Sequence, residues 1–258
     1  INAGKCIHCG LCARVHNLRM SLNNYSSYPI TCYGMKTEDR QKSSSGGVAT
    51  LLAKKIIESD GIVYGVSLNK STWKVQHIRC ETLGQLECIR GSKYVQSDVG
   101  DTFTQIRKDL KTKKVLFIGT PCQVEGLYAY LGKHPENLLT IDLVCHGCPS
   151  QKMFSDCVNS FNNQISKNGS HLINIIFLNK KYGWNPDILM TLVLKNKKQK
   201  YSIKKLYTSN DAYSTYFLNG SICRPSCYSC AFTNSSHPAD ITVCDFWGIE
   251  KVNNNFIL

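Results

Sequence analysis

The stretch KVLFIGTPCQVEGLYAYLG, residues 114 to 132, puts an unbroken apolar run, a turn and an amphipathic segment into one short piece of chain. KVLFIG (114–119) predicts a strand buried on both faces, TPC a turn, and QVEGLYAYLG (123–132) a helix. LLTIDLVC (138–145) follows as a second buried strand. Strands that are apolar on both faces and separated by a helix belong to parallel β-α-β units, because the crossover helix covers the sheet.

The alternation extends outward in both directions. SSSGGVATLLAKKIIESDG (43–61) places Val48, Leu51, Leu52, Ala53, Ile56 and Ile57 at helical spacing behind serines read as caps. GIVYGVSLN (61–69) reads as a buried strand, VQHIRC (75–80) as a half-buried one, and TLGQLECIR (82–90) as a short helix. DTFTQIRKDLKT (101–112) and a segment near 151–166 read as further helices. Between 171 and 205 the pattern changes to INIIFLN and ILMTLVLKN, typical of an antiparallel insertion, and DAYSTYFLNG (211–220) predicts one more helix. The expected fold is α/β, with a mainly parallel or mixed sheet core, an antiparallel insertion and a small cysteine-rich N-terminal module. Residues 1–17 form that module, 18–42 a polar connector and 43–258 the core, whose last elements are expected to be short or to run on past Leu258.

Composition narrows the classes of function. At 258 residues and 42% apolar content the chain can bury a sizeable core, yet it carries 14 cysteines. Such usage reflects either an oxidised secreted framework or metal ligation in a reducing compartment. The clustered spacing favours ligation, and no basic leader with an apolar stretch and cleavage site precedes it, so a cytoplasmic location is expected. The chain opens on Ile1 rather than methionine, which leaves room for a leader or a further segment before it. No apolar run approaches the roughly 20 residues of a membrane span. The formal charge of +13 suits an acidic electron carrier such as ferredoxin or a polyanionic substrate. Nucleic acid is not the expected partner: many of the lysines lie in KNKKQKYSIKK (195–205), which reads as a solvated hairpin face, without an RNA-binding signature or zinc finger. No Ser/His/Asp order or carboxylate pair points to a hydrolase.

The cysteines fall into two constellations. Cys6, Cys9 and Cys12, in CIHCGLC, have the C-x2-C-x2-C spacing that folds three thiolates around one iron–sulfur cluster. The cysteine and proline that complete such a run in ferredoxins are His16 and Asn17 here. The fourth ligand would be Cys32, His16, an exogenous group or a residue upstream of Ile1; a zinc knuckle using His8 or His16 would employ the same thiolates. In the core, Cys122 follows one predicted strand and Cys145 ends another, at the carboxyl edge where open α/β sheets bind ligands. Cys227 and Cys230, in PSCYSC, offer a two-thiolate loop that could complete a set of four. Cys80, Cys88 and Cys157 read as packing residues, while Cys148, Cys223 and Cys244 are spare ligand candidates. KSSSGG (42–47) ahead of a helix offers backbone N–H groups to a phosphate, and RGSKYVQSD (90–98) adds Arg90, Lys93 and Tyr94. His146 is the candidate proton donor, with a structural hydrogen bond as its ordinary alternative.

The series SSSGGV, VYGV, HIR, RGSKYVQSD, GTPCQVEGL, LLTIDLVCHG, KYGW, RPSCYSCAF and DITVCDFWGIEK closely resembles the coenzyme F420 hydrogenase/dehydrogenase beta-subunit family, in order, from residue 42 to 251. CIHCGLC resembles the second cluster motif of the ferredoxin-like module many members carry in front, with the first placed upstream of Ile1. The resemblance implies a flavin and iron–sulfur oxidoreductase. Such an enzyme passes electrons between a donor, reduced ferredoxin or a deazaflavin such as coenzyme F420, and a second substrate, through FAD and one or more [4Fe-4S] clusters. It implies that Ser44, Ser45, Gly46, Gly47, Lys93, Tyr94 and Gln96 lie around the flavin, and that Cys122, Cys145, Cys227 and Cys230 hold the core cluster. The N-terminal cysteines would hold a second. The family usually has an apolar residue at the positions of Cys148 and Cys223, and glycine at that of Cys244. The alternative is a zinc-stabilised interaction module that keeps the scaffold without the redox chemistry.

Overall fold

The computed structural model describes residues 33–181, 187–233 and 237–245. The N-terminal module with Cys6, Cys9 and Cys12, most of the connector, and the end of the DFWG stretch lie outside the described residues.

A five-stranded sheet forms the centre, in the order β2-β1-β3-β4-β8, where β1 is Ile62–Leu68, β2 Val75–Cys80, β3 Val115–Ile118, β4 Leu138–Leu143 and β8 Ile241–Val243. β1, β3, β4 and β8 run parallel and β2 closes one edge antiparallel to β1. The continuous apolar runs of the sequence are explained by burial on both faces. On one face Ile62, Tyr64, Val115, Phe117 and Leu138 pack with Ile106 of α3 (Thr102–Asp109) and Val124, Leu127 and Tyr128 of α4 (Pro121–Leu131). On the other, Val63, Leu116 and Ile141 pack with Ala53 of α1 (Val48–Glu58) and Leu86 of α2 (Leu83–Ile89). This is the two-sided α/β sheet expected from the alternation.

The predicted insertion is a separate antiparallel sheet, β5-β6-β7 (Ser170–Phe177, Met190–Asn196, Tyr201–Leu206). It packs through Leu172, Ile175, Phe177, Met190 and Leu192 on Phe154, Val158 and Ile165 of α5 (Gln151–Ser166), with Tyr213 of α6 (Ala212–Leu218). The lysine-rich stretch is the β6–β7 hairpin, and β7 is exposed over most of its length. Among the described residues no helix is long and apolar enough to cross a membrane.

Two local readings change. The serines do not cap α1: its N-cap is Gly47 at φ 88°, which makes no side-chain cap, and Ser44 is engaged elsewhere. Cys88 is exposed rather than packed, because it lies two residues beyond buried Leu86, off the inward face of α2.

Candidate functional site

Parallel strands direct all their carboxyl ends to one edge of the sheet, and the chain after each of them turns there. After β3, Thr120 and Gln123 form a capping box and Pro121 takes the first helical position, so Cys122 lies in the first turn of α4 rather than in a preceding loop. After β4, which ends at Leu143, the loop Val144 to Ser150 carries Cys145, His146 and Cys148. After β8 come Cys244 and Asp245. Since α1 packs on β1 and joins it through only residues 59–61, its N-terminus with Ser44, Ser45, Gly46 and Gly47 returns to the same edge.

Residues 90–98 stitch these pieces together. Ser92 N–H donates to Ser44 Oγ (2.5 Å), Gln96 N–H to the Pro149 carbonyl (2.9 Å), and Gln123 Nε2 to Ser97 Oγ (2.9 Å). The flavin candidates are therefore attached by hydrogen bonds to the loop after β4 and to the first turn of α4. Cys227 and Cys230 reach the site through a second junction. Arg224 N–H donates to the Cys148 carbonyl (3.0 Å), Pro149 and Cys223 form an antiparallel bridge, and Gly147 at φ 100° lets the two loops touch. A Cβ on Gly147 would lie 2.8 Å from Cys223 Sγ and 3.4 Å from Cys227 Cβ.

Cys122, Cys145, Cys227 and Cys230 thus gather at charge range. Burial pushes the Cys145 thiol up to about 11, and the charges of Cys122, Cys227 and Cys230 add to the rise. Cys122 is raised too, first by burial and then by Cys230 and Cys227, against a lowering hydrogen bond from Thr120. Three of the four sulfurs have hydrogen-bonding neighbours: Gly147 N–H donates to Cys145 (3.4 Å), Phe232 N–H to Cys230 (3.4 Å), and Thr120 Oγ1 lies 3.2 Å from Cys122. Among the described residues no three His, Cys, Asp or Glu side chains are grouped as a single bound ion requires. An all-sulfur set at charge range of one another, with N–H groups directed at two of its sulfurs, fits the donor chemistry of an iron–sulfur cluster. The raised thiols would have to give up protons to bind metal, so loading would release protons and weaken toward acid pH.

The helix side fits a phosphate-bearing cofactor. No side chain caps α1, whose N-terminal dipole favours an anion. Beside it the Arg90 side chain is 6% exposed; its Nη2 bonds Asp39 and Glu87, while Nε and Nη1 are buried without a partner. Lys180, three residues past the end of β5, donates to the carbonyls of Ser45 (2.7 Å) and Arg40 (3.2 Å), and Asp245 acts on both Lys180 and Tyr94. Burial lowers Lys180 to about 8. Lys180 and Asp245 carry no local motif, and only the tertiary fold brings them here.

Two candidates have other duties. Lys93 Nζ lies within hydrogen-bonding distance of the carbonyls of Cys88, Ile89, Arg90 and Gly91 (2.9–3.4 Å), so its ammonium closes the C-terminus of α2, and burial lowers it to about 7. His146 Nε2 donates to the Phe217 carbonyl (3.0 Å) and its ring meets Phe217 edge-on, the structural role foreseen as its alternative. Tyr94 is wedged between Phe177 and Phe217, and its carbonyl accepts from Tyr213.

The chain leaving Cys230 is clamped to β4. His237 Nδ1 donates to both oxygens of Asp142 (3.1 Å each), and Asp240 Oδ2 accepts from Thr140 N–H and Oγ1 (2.7 Å each). Asp240→Ala leaves buried Thr140 without those acceptors and is expected to lower stability by about 2–4 kcal/mol in urea unfolding. A loss below about 0.5 kcal/mol would show that water replaces the carboxylate.

The chain matches known sequences over most of its length. The model for the C-terminal part of the coenzyme F420 hydrogenase/dehydrogenase beta subunit matches residues 112–258, and the model for its N-terminal part matches residues 31–103. The chain belongs to this beta-subunit family. Its two models divide the site: the N-terminal one contains the α1 and 90–98 elements, the C-terminal one all four core cysteines. Among solved structures, a chain of the F420-reducing [NiFe] hydrogenase complex from Methanosarcina barkeri is 18% identical, with a TM-score of 0.48, and the match covers 78% of this chain and 66% of that one. No curated protein matches the sequence. The F420 hydrogenase/dehydrogenase beta-subunit family is one of oxidoreductase subunits.

Proposed function

We propose that this chain is an FAD-dependent iron–sulfur oxidoreductase that passes electrons between a reduced carrier, ferredoxin or a deazaflavin such as coenzyme F420, and a second substrate. The observation that carries the reading is the meeting of four mutually interacting thiols with an uncapped helix N-terminus and a half-satisfied buried arginine at one sheet edge. When bound, the flavin would supply two-electron chemistry and the cluster single-electron transfer. The protein's part is placement. Cys122, Cys145, Cys227 and Cys230 would hold the cluster, with Gly147 and Phe232 N–H groups tuning two of the sulfurs. Ser44 to Gly47 and Arg90 would hold the cofactor's phosphates, and residues 90–98 fix the separation of the two sites. The net charge of +13 favours an acidic carrier. As a member of a beta-subunit family, the chain would act together with other redox subunits. The N-terminal Cys6, Cys9 and Cys12 would hold a second cluster.

Iron, acid-labile sulfide and flavin counted per chain after anaerobic purification test the reading. The full-length chain is expected to carry flavin and to show a broad absorption near about 400 nm that dithionite bleaches. Cys122→Ala is expected to lose about four irons and the matching sulfide while keeping its flavin. Zinc without sulfide would instead establish the non-redox module, and unchanged iron in the variant would remove Cys122 from the ligand set.

A further inference from the structure

The carboxyl edge holds more thiols than a four-iron cluster takes, and one of them, Cys148, shares a loop with a candidate ligand. Cys148 leaves the same loop as Cys145 and is fixed by its carbonyl to Arg224 N–H (3.0 Å), three residues before Cys227. The neighbouring Gly147 is in close contact with that segment, its missing Cβ position 3.4 Å from Cys227 Cβ. Among the thiolates, Cys227 acts most strongly on Cys148, followed by Cys145 and Cys122. Cys227 also differs from the other three candidate ligands. Cys145, Cys230 and Cys122 each have a hydrogen-bonding neighbour at sulfur, whereas among the described residues none is found for Cys227 Sγ. It stands at the end of a short 3-10 turn, Pro225–Cys227, held by its N–H to the Arg224 carbonyl (2.8 Å) and not through its sulfur.

We propose that Cys148 is a reserve ligand of the core cluster, placed to take the iron otherwise held by Cys227. The inference rests on the iron–sulfur reading above and concerns which thiols serve it. Each iron of such a cluster takes one protein ligand, so a further thiol in the site has no iron of its own and competes for the corner of the ligand whose segment its loop is bonded to and whose sulfur has no hydrogen-bonding neighbour. In the exchange the Fe–S bond to Cys227 breaks and that thiolate accepts a proton. The Cys148 thiol releases a proton and forms the new Fe–S bond, and no electron is transferred.

Iron and sulfide counts on the full chain, with electron paramagnetic resonance of the dithionite-reduced protein, test this. Cys227→Ala is expected to keep its core iron with a shifted resonance, and Cys148→Ala to keep it with little change. The double variant is expected to lose about four irons, as Cys122→Ala does. Circular dichroism checks that each chain is folded, and Cys227→Ser, closer in size to cysteine, replaces the alanine variant if that one is not. Loss of about four irons from a folded Cys227 single variant would overturn the proposal while leaving the cluster reading intact. Absence of core iron and sulfide from the wild-type protein would instead overturn the reading beneath it.

Discussion

Gly147→Ala is expected to empty the core thiol site of about four irons per chain while leaving the flavin bound and the far-ultraviolet circular dichroism unchanged. Two effects act together. Gly147 adopts φ 100°, a backbone region that L side chains rarely enter, and the added Cβ would stand 2.8 Å from Cys223 Sγ, closer than real contacts allow. Cys223 is 9% exposed and bridged to Pro149, so it has little space into which to retreat. The loop 145–149 must therefore separate from the segment 223–227, and, since Cys230 N–H donates to the Cys227 carbonyl (3.3 Å), that separation carries Cys227 and Cys230 together away from Cys145 and Cys148. It also disturbs the Gly147 N–H that donates to Cys145 Sγ. The proposed flavin elements on α1 should survive, because their links to this loop run through Gln96 and Pro149 rather than through residue 147. A second substitution separates the two causes. Gly147→Ala with Cys223→Ala removes the sulfur that the new methyl group meets, and most of the iron should return. A double variant that stays empty would place the whole effect in backbone strain and refute the steric account.

How much of this arrangement the sequence reveals depends on the range over which each feature is determined. β1, β3 and β4 are legible because burial on both faces makes each an unbroken apolar run. β8 is not, because Ile241–Val243 is three residues long and becomes a strand only by pairing with Ile141 to Leu143, about a hundred positions earlier. The start of α4 was in principle readable: Thr120, Pro121 and Gln123 form a capping signature, which draws Cys122 into the helix. The serines of KSSSGG misled in the other direction. Ser44 lies where a cap is expected, but its hydroxyl accepts from Ser92, a partner that local pattern cannot supply. Cys122 and Cys145 could be placed at a strand edge from sequence, since strand ends are local features, whereas Cys227 and Cys230 offered only a paired spacing. That Gly147 seats one cysteine loop against the other, and that the Cys148 carbonyl accepts from Arg224, depends on tertiary contact. Lys93 shows the limit most clearly: a basic residue in a candidate binding loop folds back on four carbonyls of its own segment.

Stability should fall by about 3 kcal/mol as pH is lowered from 6.5 to 4, through His77. This residue of β2 is 7% exposed and stacks on Phe117 at 5.1 Å, with Nε2–H donating to the Ile118 carbonyl (3.2 Å) and Nδ1 buried without a partner. Burial lowers its pKa from 6.5 to about 4, against smaller raising effects from Ile118 and Asp98. The sign follows from proton binding. Above 6.5 the imidazole is neutral folded or unfolded; between 6.5 and 4 only the unfolded chain takes up the proton, so stability is lost across that interval. The carboxylates of Asp39, Asp98 and Asp109, all held below their ordinary 3.8 by basic or hydrogen-bonding partners, give way only at lower pH. Asp142, raised by burial, acts in the opposite sense, since the folded chain binds its proton more readily. The contribution of His77 is therefore read as a difference. His77→Phe keeps the stack on Phe117, gives up about 1 kcal/mol with the bond to Ile118 at neutral pH, and should flatten the stability profile between pH 6.5 and 4. Urea unfolding of both proteins across that range decides it: parallel profiles would show that His77 does not titrate there, and that its unpartnered Nδ1 is already reached by water.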